Sequence, residues 1–543
     1  MNSILENFAN WVCHIELSQV PDRVQKKARY QILNVIASLF AAEHHKAAQA
    51  ASRCIAQWNN PGPCVTFPTG EKHSLHSAVL MNAVNSMALD YDDYLYMGHT
   101  GHSSVLASLG LCELEEKTTE ELLIAQIIGN EIGGRLGIST ALSPQNGQAW
   151  SYIHSFAAAG IGARLLGLSV EETMNALAIS LYQPGYTLWP GFMGGDSKLL
   201  TAAWPTVQGL QAAQLAKQGL TGACSILDHP TNGFWKHFTY VPLPHMMTGL
   251  GRSWLTDTLT FKQYPGCAYI DTTMDSLFEL LSQYRQQHGT KIKINQIKFI
   301  DIKANFLTVE MDNLSWEYQT ENTISSTNIN FSIPYNVAIG ILSGELTAKQ
   351  MDDGFLKMNQ SALRALAEKV TLTHDWTMTL DVIDAVNKCL HNQSIAAVLT
   401  KKEWLKLIFA LKSQLGGARR NGINLKGLIQ ESGRIFRIRR EQKRNRHHAN
   451  DLGDIDFSKF EMTFPAEVTL TMTDGTRLTS RKNIPIGAPN QTDYFSMVEE
   501  KFNREAGETP EHKKFMDCLT DHELFLKTPL MDLVNLLQFT DHS

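Results

Sequence analysis

The stretch FAAAGIGARLLGL, residues 156–168, places alanine or glycine at most positions where a helix would meet a neighbour, and LQAAQLAKQGLTGA, residues 210–223, repeats the pattern. Small side chains let helix axes approach closely, so both segments are predicted as central helices of a compact bundle. Working outward, apolar residues recur at three- and four-residue spacing in Ile32, Leu33, Ile36 and Phe40, in Leu80, Val84, Met87 and Ala88, and in Leu122, Ile124, Ile127 and Ile128. That period is helical, and with Pro and Gly punctuation it runs from the N-terminus to about Leu259. The first half of the chain reads as all-α.

The period changes after Gly266. Lys291-Ile-Lys-Ile-Asn and Gln296-Ile-Lys-Phe-Ile-Asp-Ile-Lys alternate every second residue, as half-buried strands do. Lys369-Val-Thr-Leu-Thr-His is strand-like, and the stretch from Val468 to Leu478 predicts a hairpin turning at Asp474-Gly475. Between them lies a helical, basic segment at about 375–460, and after Pro489 the helical pattern resumes. The predicted organisation is an N-terminal helical part over residues 1–265, a smaller α+β domain over 266–488 carrying the insertion, and C-terminal helices over 489–543 that return to the first bundle. The fold class is mainly α.

The chain has 543 residues with 48 Lys+Arg against 54 Asp+Glu, a formal net charge of -6, and is 43% hydrophobic. This is an ordinary globular composition, long enough for roughly three core-forming units. Mild acidity argues against a general polyanion-binding surface. The eight cysteines are scattered without zinc or iron–sulfur spacing, which fits free thiols in a reducing compartment. The N-terminus lacks a basic leader, no apolar run approaches the ~18–20 residues of a membrane span, and a cytoplasmic location is expected.

The densest chemistry lies in LDYDDYLYMGHTGHSSV, residues 89–105. Three carboxylates within four residues, followed by His99 and His102, suit proton transfer, because like charges spread their proton affinities. If the helix continues, Asp90 and Asp93 are one turn apart and share a face while Asp92 points elsewhere. His99 and His102 lie among glycines and serines, unlike the helical HExxH pattern, so no metal site is predicted. There is no nucleophile elbow and no P-loop.

The order of motifs resembles the MmgE/PrpD family, which includes methylcitrate dehydratase, cis-aconitate decarboxylase and an iminodisuccinate epimerase. The resemblance rests on LDYDD at 89–93 with the His99-Thr-Gly loop, NEIGGRLG at 130–137, AAAGIGARLLGLS at 157–169 and the long segment beginning GDSKLL at 195. FKQYPGC at 261–267, FSIPYNVAIGILSGELT at 331–347 and FPAEVTLTMTDG at 464–475 complete it. It implies a large all-α helical domain with a smaller α+β lid domain, a site between them, no metal or organic cofactor, a homodimer, and lyase chemistry on a small di- or tricarboxylic acid. The catalytic residues it implies are Asp90, His99, Lys198 and Tyr335, with Tyr94, His102 and Gln148 at substrate-binding positions.

The chain also departs from that pattern. Tyr94 stands where relatives have a small hydroxyl residue, Gln148 where many have a histidine, and Asp271 where a histidine follows the YPxC stretch. Glutamine cannot exchange a proton near neutral pH, so the reaction is altered or lost if that histidine is the acid or base. Epimerisation beside a carboxylate and a catalytically silent scaffold are therefore the alternative readings. The run from Arg434 to His448 holds seven Lys/Arg against one Glu, the only hint of a nucleic-acid partner, and reads more simply as a solvated face. Arg135 reads as an ion-pair partner on its helix.

Overall fold

The computed structural model describes residues 3–389, except 97, 145–146, 149–150 and 320–323, then residues 455–537, with isolated positions between 402 and 433. Most of the predicted insertion, including the basic run from Arg434 to His448, lies outside the described residues.

The helices that frame the site are α1 (Asp22–Ala41), α2 (Leu75–Met87), α3 (Gly101–Leu114), α4 (Thr119–Ser139), α5 (Ser151–Leu165) and α6 (Leu200–Lys217). Helices α4 and α5 are buried almost all round, as their apolar and small residues require. The glycines explain the tight packing. A Cβ at Gly209 of α6 would lie 2.1 Å from the Ser155 carbonyl of α5, and one at Gly162 would lie 2.6 Å from Ala213. Unlike α4 and α5, α6 keeps one face outside, with Trp204 61% and Leu215 46% exposed.

Four strands, β1 (Ile297–Ala304), β2 (Val370–His374), β3 (Ala466–Met472) and β4 (Arg477–Lys482), form one sheet in the order β4-β3-β1-β2. The β1–β2 pair is parallel and the other two are antiparallel. The hairpin turns at Asp474-Gly475, where Gly475 has φ 91°. The alternation at Lys291–Asn295 does not become a strand. Ile294–Gln296 forms a 3-10 turn instead, with the Gln296 side chain accepting the Lys293 N–H at 3.0 Å, a local bond that outcompetes extension.

Helices α7 (Asp271–His288), α8 (Phe306–Trp316) and α9 (Ile333–Ser343) pack around the sheet and share its core with Ile300, Val337 and Leu470. The C-terminal helices, beginning with α10 (Ser496–Ala506), bury Val498, Phe502, Phe515 and Phe525 in the N-terminal core with Leu33 and Ile36. The architecture is mainly α, with one smaller α+β part.

Candidate active site

The site is built where the chain leaves α2. The helix ends at Met87, and Asp90 takes a left-handed conformation with φ 51°, which Asp tolerates better than most residues but which still stores strain. Asp93-Tyr94 then runs extended, paired with Phe261 and Thr260, and this register sets Lys262 beside Asp92, whose carbonyl accepts the Lys262 N–H at 3.2 Å. The expected helical continuation is therefore absent. In extended chain the carboxylates two apart converge, so Asp90 and Asp92 meet at one cation, while Asp93 turns away toward Gln31 at 2.7 Å.

That cation is Lys262, fully buried. Its Nζ lies 2.8 Å from Asp90 Oδ1, 3.1 Å from Asp92 Oδ1 and 2.8 Å from the Asp90 carbonyl. Bonding both the carboxylate and the backbone of Asp90 holds the strained φ in place. On the far side Lys198, also fully buried, donates to Asp90 Oδ2 at 3.1 Å. Lys198 reaches the lid as well. It lies over the Phe331 ring at 4.6 Å, and Asn330, turned so that both ends of its amide are satisfied, accepts from it at 3.0 Å and donates to the Ser326 carbonyl at 3.0 Å.

The two lysines are not equivalent. Burial opposes both charges, but Asp90 and Asp92 outweigh it at Lys262 and raise its proton affinity above that of an ordinary lysine. At Lys198 burial, helped by the repulsion of Lys262, outweighs the single Asp90, and its pKa falls below the usual lysine value. Asp90 resists burial because Lys198 and then Lys262 hold its carboxyl well below the usual range. Both lysines thus hold its charge, Lys198 at Oδ2 and Lys262 at Oδ1.

Asp92 Oδ2 faces the histidines, 3.1 Å from His99 Nδ1 and 2.9 Å from His102 Nε2. His102 is fully buried, with Nδ1 on Ser86 Oγ at 2.8 Å, and is thereby fixed in place. The His99 side chain keeps 26% of its surface exposed, whereas those of Asp90, Lys198 and Lys262 keep 5% or less, so the cluster opens at His99. The loop before α3 is braced below by Thr100 and Asn130 at 2.7 Å and by Asn130 and Gln31 at 2.7 Å. Asn130 belongs to the NEIGGRLG motif, so that stretch acts by holding the loop. The ligand atoms of Asp92, His99 and His102 lie within 4.8 Å of one another, and they are the described residues best able to hold a metal ion. His99 Nδ1 and His102 Nε2 both approach one carboxylate oxygen of Asp92 while Lys262 occupies the other, and His102 Nε2 makes no hydrogen bond of good geometry among the described residues.

Tyr94 is 4% exposed, and its ring centroid lies 6.1 Å from that of His99. Among the described residues its hydroxyl has no hydrogen-bond partner, and neither does the carboxyl of buried Asp271 at the start of α7. Burial and then Asp275 raise the Asp271 pKa well above the ordinary carboxyl value. His154 on α5 bonds Ser103 Oγ at 3.0 Å and is kept neutral by burial and by His102. Tyr335 is the third residue of α9, half-buried against the lid core, and no hydrogen bond joins it to the lysine–carboxylate cluster among the described residues. Gln148 lies on a short backbone ladder with Thr187, and its side chain lies outside the described residues. Arg135 is fully buried against Glu131 at 3.3 Å and the Ser253 carbonyl at 2.6 Å, a structural brace.

The structure adds two lysines that sequence reasoning passed over. Lys262 sits inside FKQYPGC, a motif read only for its resemblance. A lone lysine in an aromatic stretch was the available hint. Lys501 of α10 donates to Asn34 Oδ1 at 2.8 Å and to the Tyr91 carbonyl, tying the C-terminal helix to the backbone between Asp90 and Asp92. Burial lowers its pKa to about 7.

Asp93 titrates where it can be followed. Burial, then Asp92, raise it to about 7 despite the Gln31 bond. The folded protein therefore keeps a proton that the unfolded chain releases above about pH 4. Its contribution is present below that pH and is lost as pH rises through 7, a swing of about 4 kcal/mol at most. Asp93→Asn is expected to gain stability relative to the parent between pH 4 and 7 in chemical denaturation. Parallel pH profiles for the two proteins would contradict the assignment.

A helical bundle with an α+β lid, joined at a buried lysine–carboxylate cluster that opens at a histidine, defines a site of acid–base type. Residues 6–243 match the MmgE/PrpD N-terminal domain and residues 264–401 the MmgE/PrpD C-terminal domain, and the chain belongs to the MmgE/PrpD family. It is 24% identical over 392 residues to the cis-aconitate decarboxylase-like protein oryM of Aspergillus oryzae, covering 68% of this chain and 80% of the relative. To the cis-aconitate decarboxylase of Aspergillus terreus (strain NIH 2624 / FGSC A1156) it is 23% identical over 69% of this chain and 79% of the relative. The 2-methylcitrate dehydratase of Escherichia coli (strain K12) is 23% identical over 51% of this chain and 55% of its own.

Proposed function

We propose that the protein is a lyase that removes water or carbon dioxide from a small di- or tricarboxylic acid by general acid–base chemistry. The observation that carries this is Lys198, a fully buried ammonium with lowered proton affinity, shared between Asp90 and the lid residue Asn330. A substrate carboxylate that displaces Asp90 from Lys198 gains a desolvated cation, while Asp90 keeps Lys262. The relatives' printed activities, cis-aconitate decarboxylase and 2-methylcitrate dehydratase, support the substrate class.

His99 is the proton carrier in this reading. It is the open edge of the cluster, and Asp92 orients its ring and stabilises the imidazolium that forms. In a dehydration His99 takes the proton beside a carboxylate, the electron pair forms the double bond, and the hydroxyl leaves with a proton from an acid. In a decarboxylation the carbon–carboxylate bond breaks, its electron pair moves onto the substrate carbon skeleton, and His99 returns a proton there. Tyr335, from the lid, is the candidate acid or hydrogen-bond donor, and Tyr94 and His102 shape the floor. No resident metal or organic cofactor is assigned.

Citrate, methylcitrate, cis-aconitate and iminodisuccinate-type acids followed by NMR in deuterium oxide test the proposal. Loss of water or carbon dioxide from one of them is expected. Deuterium entering recovered substrate with no such loss would replace the lyase by an epimerase, and inertness toward all of them would support a silent scaffold.

A homodimer is proposed from the same relatives' fold class, and α6 offers the surface. Trp204 and Leu215 lie three turns apart on its exposed face, with Tyr182 and Leu188 78% and 63% exposed. Trp204→Glu is expected to convert a dimer to a monomer in light scattering. An unchanged mass would remove this face from consideration. Among the described residues no helix is long and apolar enough to cross a membrane.

A further inference from the structure

A pocket with a volume of about 430 Å³ lies between the lid helices α7 and α9 and the C-terminal helix α10. That size suits a small metabolite. Its chemistry is lopsided. Arg285 of α7, Lys291 just beyond it and Arg504 of α10 line it, against one carboxylate, Glu345. Among the described residues neither Arg285 nor Lys291 forms an ion pair, whereas the other two groups are engaged. Arg504 pairs with Glu505 at 3.0 Å, and Glu345 accepts from Gln350 at 2.9 Å.

Helix ends account for part of this charge. Arg285 is in the last turn of α7, and Lys291 Nζ lies 3.4 Å from where a Cβ on Gly344, the C-cap of α9, would be, so both also face the negative ends of helix dipoles. Helix-end stabilisation requires neither a cavity nor the rest of its lining. Phe278, Leu281, Ile341 and Leu346 supply an apolar wall, and the side-chain oxygen of Gln263 is buried there without a donor.

We propose that this pocket binds a small amphipathic anion, a carboxylate or phosphate monoester whose charged head meets Arg285 and Lys291 and whose hydrocarbon body lies on the apolar wall. The pocket itself is walled by both parts of the protein, because Arg285 and Lys291 belong to the lid and Arg504 to the C-terminal helix. It also sits one bond from the site. Arg504 donates to the Tyr91 hydroxyl, which donates to the Gln263 carbonyl at 3.0 Å, and Tyr91 and Gln263 adjoin Asp90, Asp92 and Lys262.

The test is calorimetric titration of the full-length protein with n-butyl phosphate and with hexanoate. Lys198→Met serves as the background in which the proposed active site cannot compete, and Arg285→Ser/Lys291→Ser as the variant. Both substituted side chains are exposed, so folding is expected to survive and is checked by thermal melting. Saturable binding that persists in Lys198→Met and weakens ~10-fold or more in the double variant is expected. A phosphate-only or carboxylate-only response identifies the head group. Binding that disappears in Lys198→Met yet survives in the double variant would assign the anion to the active site and overturn the proposal, as would the absence of saturable binding by either probe.

Discussion

Lys262→Met is expected to abolish turnover and to lower the unfolding free energy by about 3–5 kcal/mol, the range for breaking a buried ion pair by removing one partner. Lys262 is bonded to Asp90 and Asp92 at once, both carboxylates are buried, and each is held well below the usual carboxylate range with its help. Methionine fills the volume but leaves two anions to Lys198 and the histidines. It also frees the Asp90 carbonyl, whose bond to Lys262 holds the left-handed backbone at that residue. Chemical denaturation at neutral pH measures the loss. A companion variant that adds Asp90→Asn is expected to recover part of it by removing one of the stranded charges. A Lys262→Met protein as stable as the parent would mean that the carboxylates do not depend on this lysine.

The helical bundle was legible because small-residue and apolar spacing survive any detail of packing. Residues 156–168 do form a buried helix, and glycines such as Gly209 are where another helix comes close. The hairpin at Asp474-Gly475 was legible for a similarly local reason, the backbone freedom of Gly475. The cluster was only half legible. Asp90, His99 and Lys198 were named by motif, and Asp90 and Lys198 are now seen in contact, while His99 joins them through Asp92 and Lys262.

Asp92 was misplaced because helical spacing was carried past Met87. The switch to extended chain depends on a strand partner 168 residues away, at Phe261 opposite Asp93, which no local pattern reveals. Lys262 and Lys501 were missed for another reason. A lysine in sequence reads as solvated, and its burial is a consequence of tertiary structure that brings carboxylates or carbonyls to it. The proposed place of Tyr335 in catalysis rests on the resemblance, since its position on α9 is fixed by Ser332 and the lid core rather than by a bond to the cluster.

Lys198→Met is expected to reduce kcat/KM by about 10²–10³-fold, the usual effect of deleting one preorganised charge-stabilising donor, while leaving stability unchanged or slightly raised. The contrast with Lys262 follows from the electrostatics. Burial lowers the proton affinity of Lys198, so its charge costs the folded state more than Asp90 returns, and methionine relieves that cost. Asp90 is not stranded, because Lys262 remains on its other oxygen at 2.8 Å. The same substitution at two lysines about one carboxylate is thus expected to have different consequences for folding. The parent's rate is also expected to fall on the alkaline side below the ordinary lysine range, as Lys198 loses its proton, and Lys198→Arg, which cannot lose it there, is expected to retain part of the rate without that limb. Undiminished turnover by Lys198→Met on an identified substrate would remove Lys198 from the chemistry.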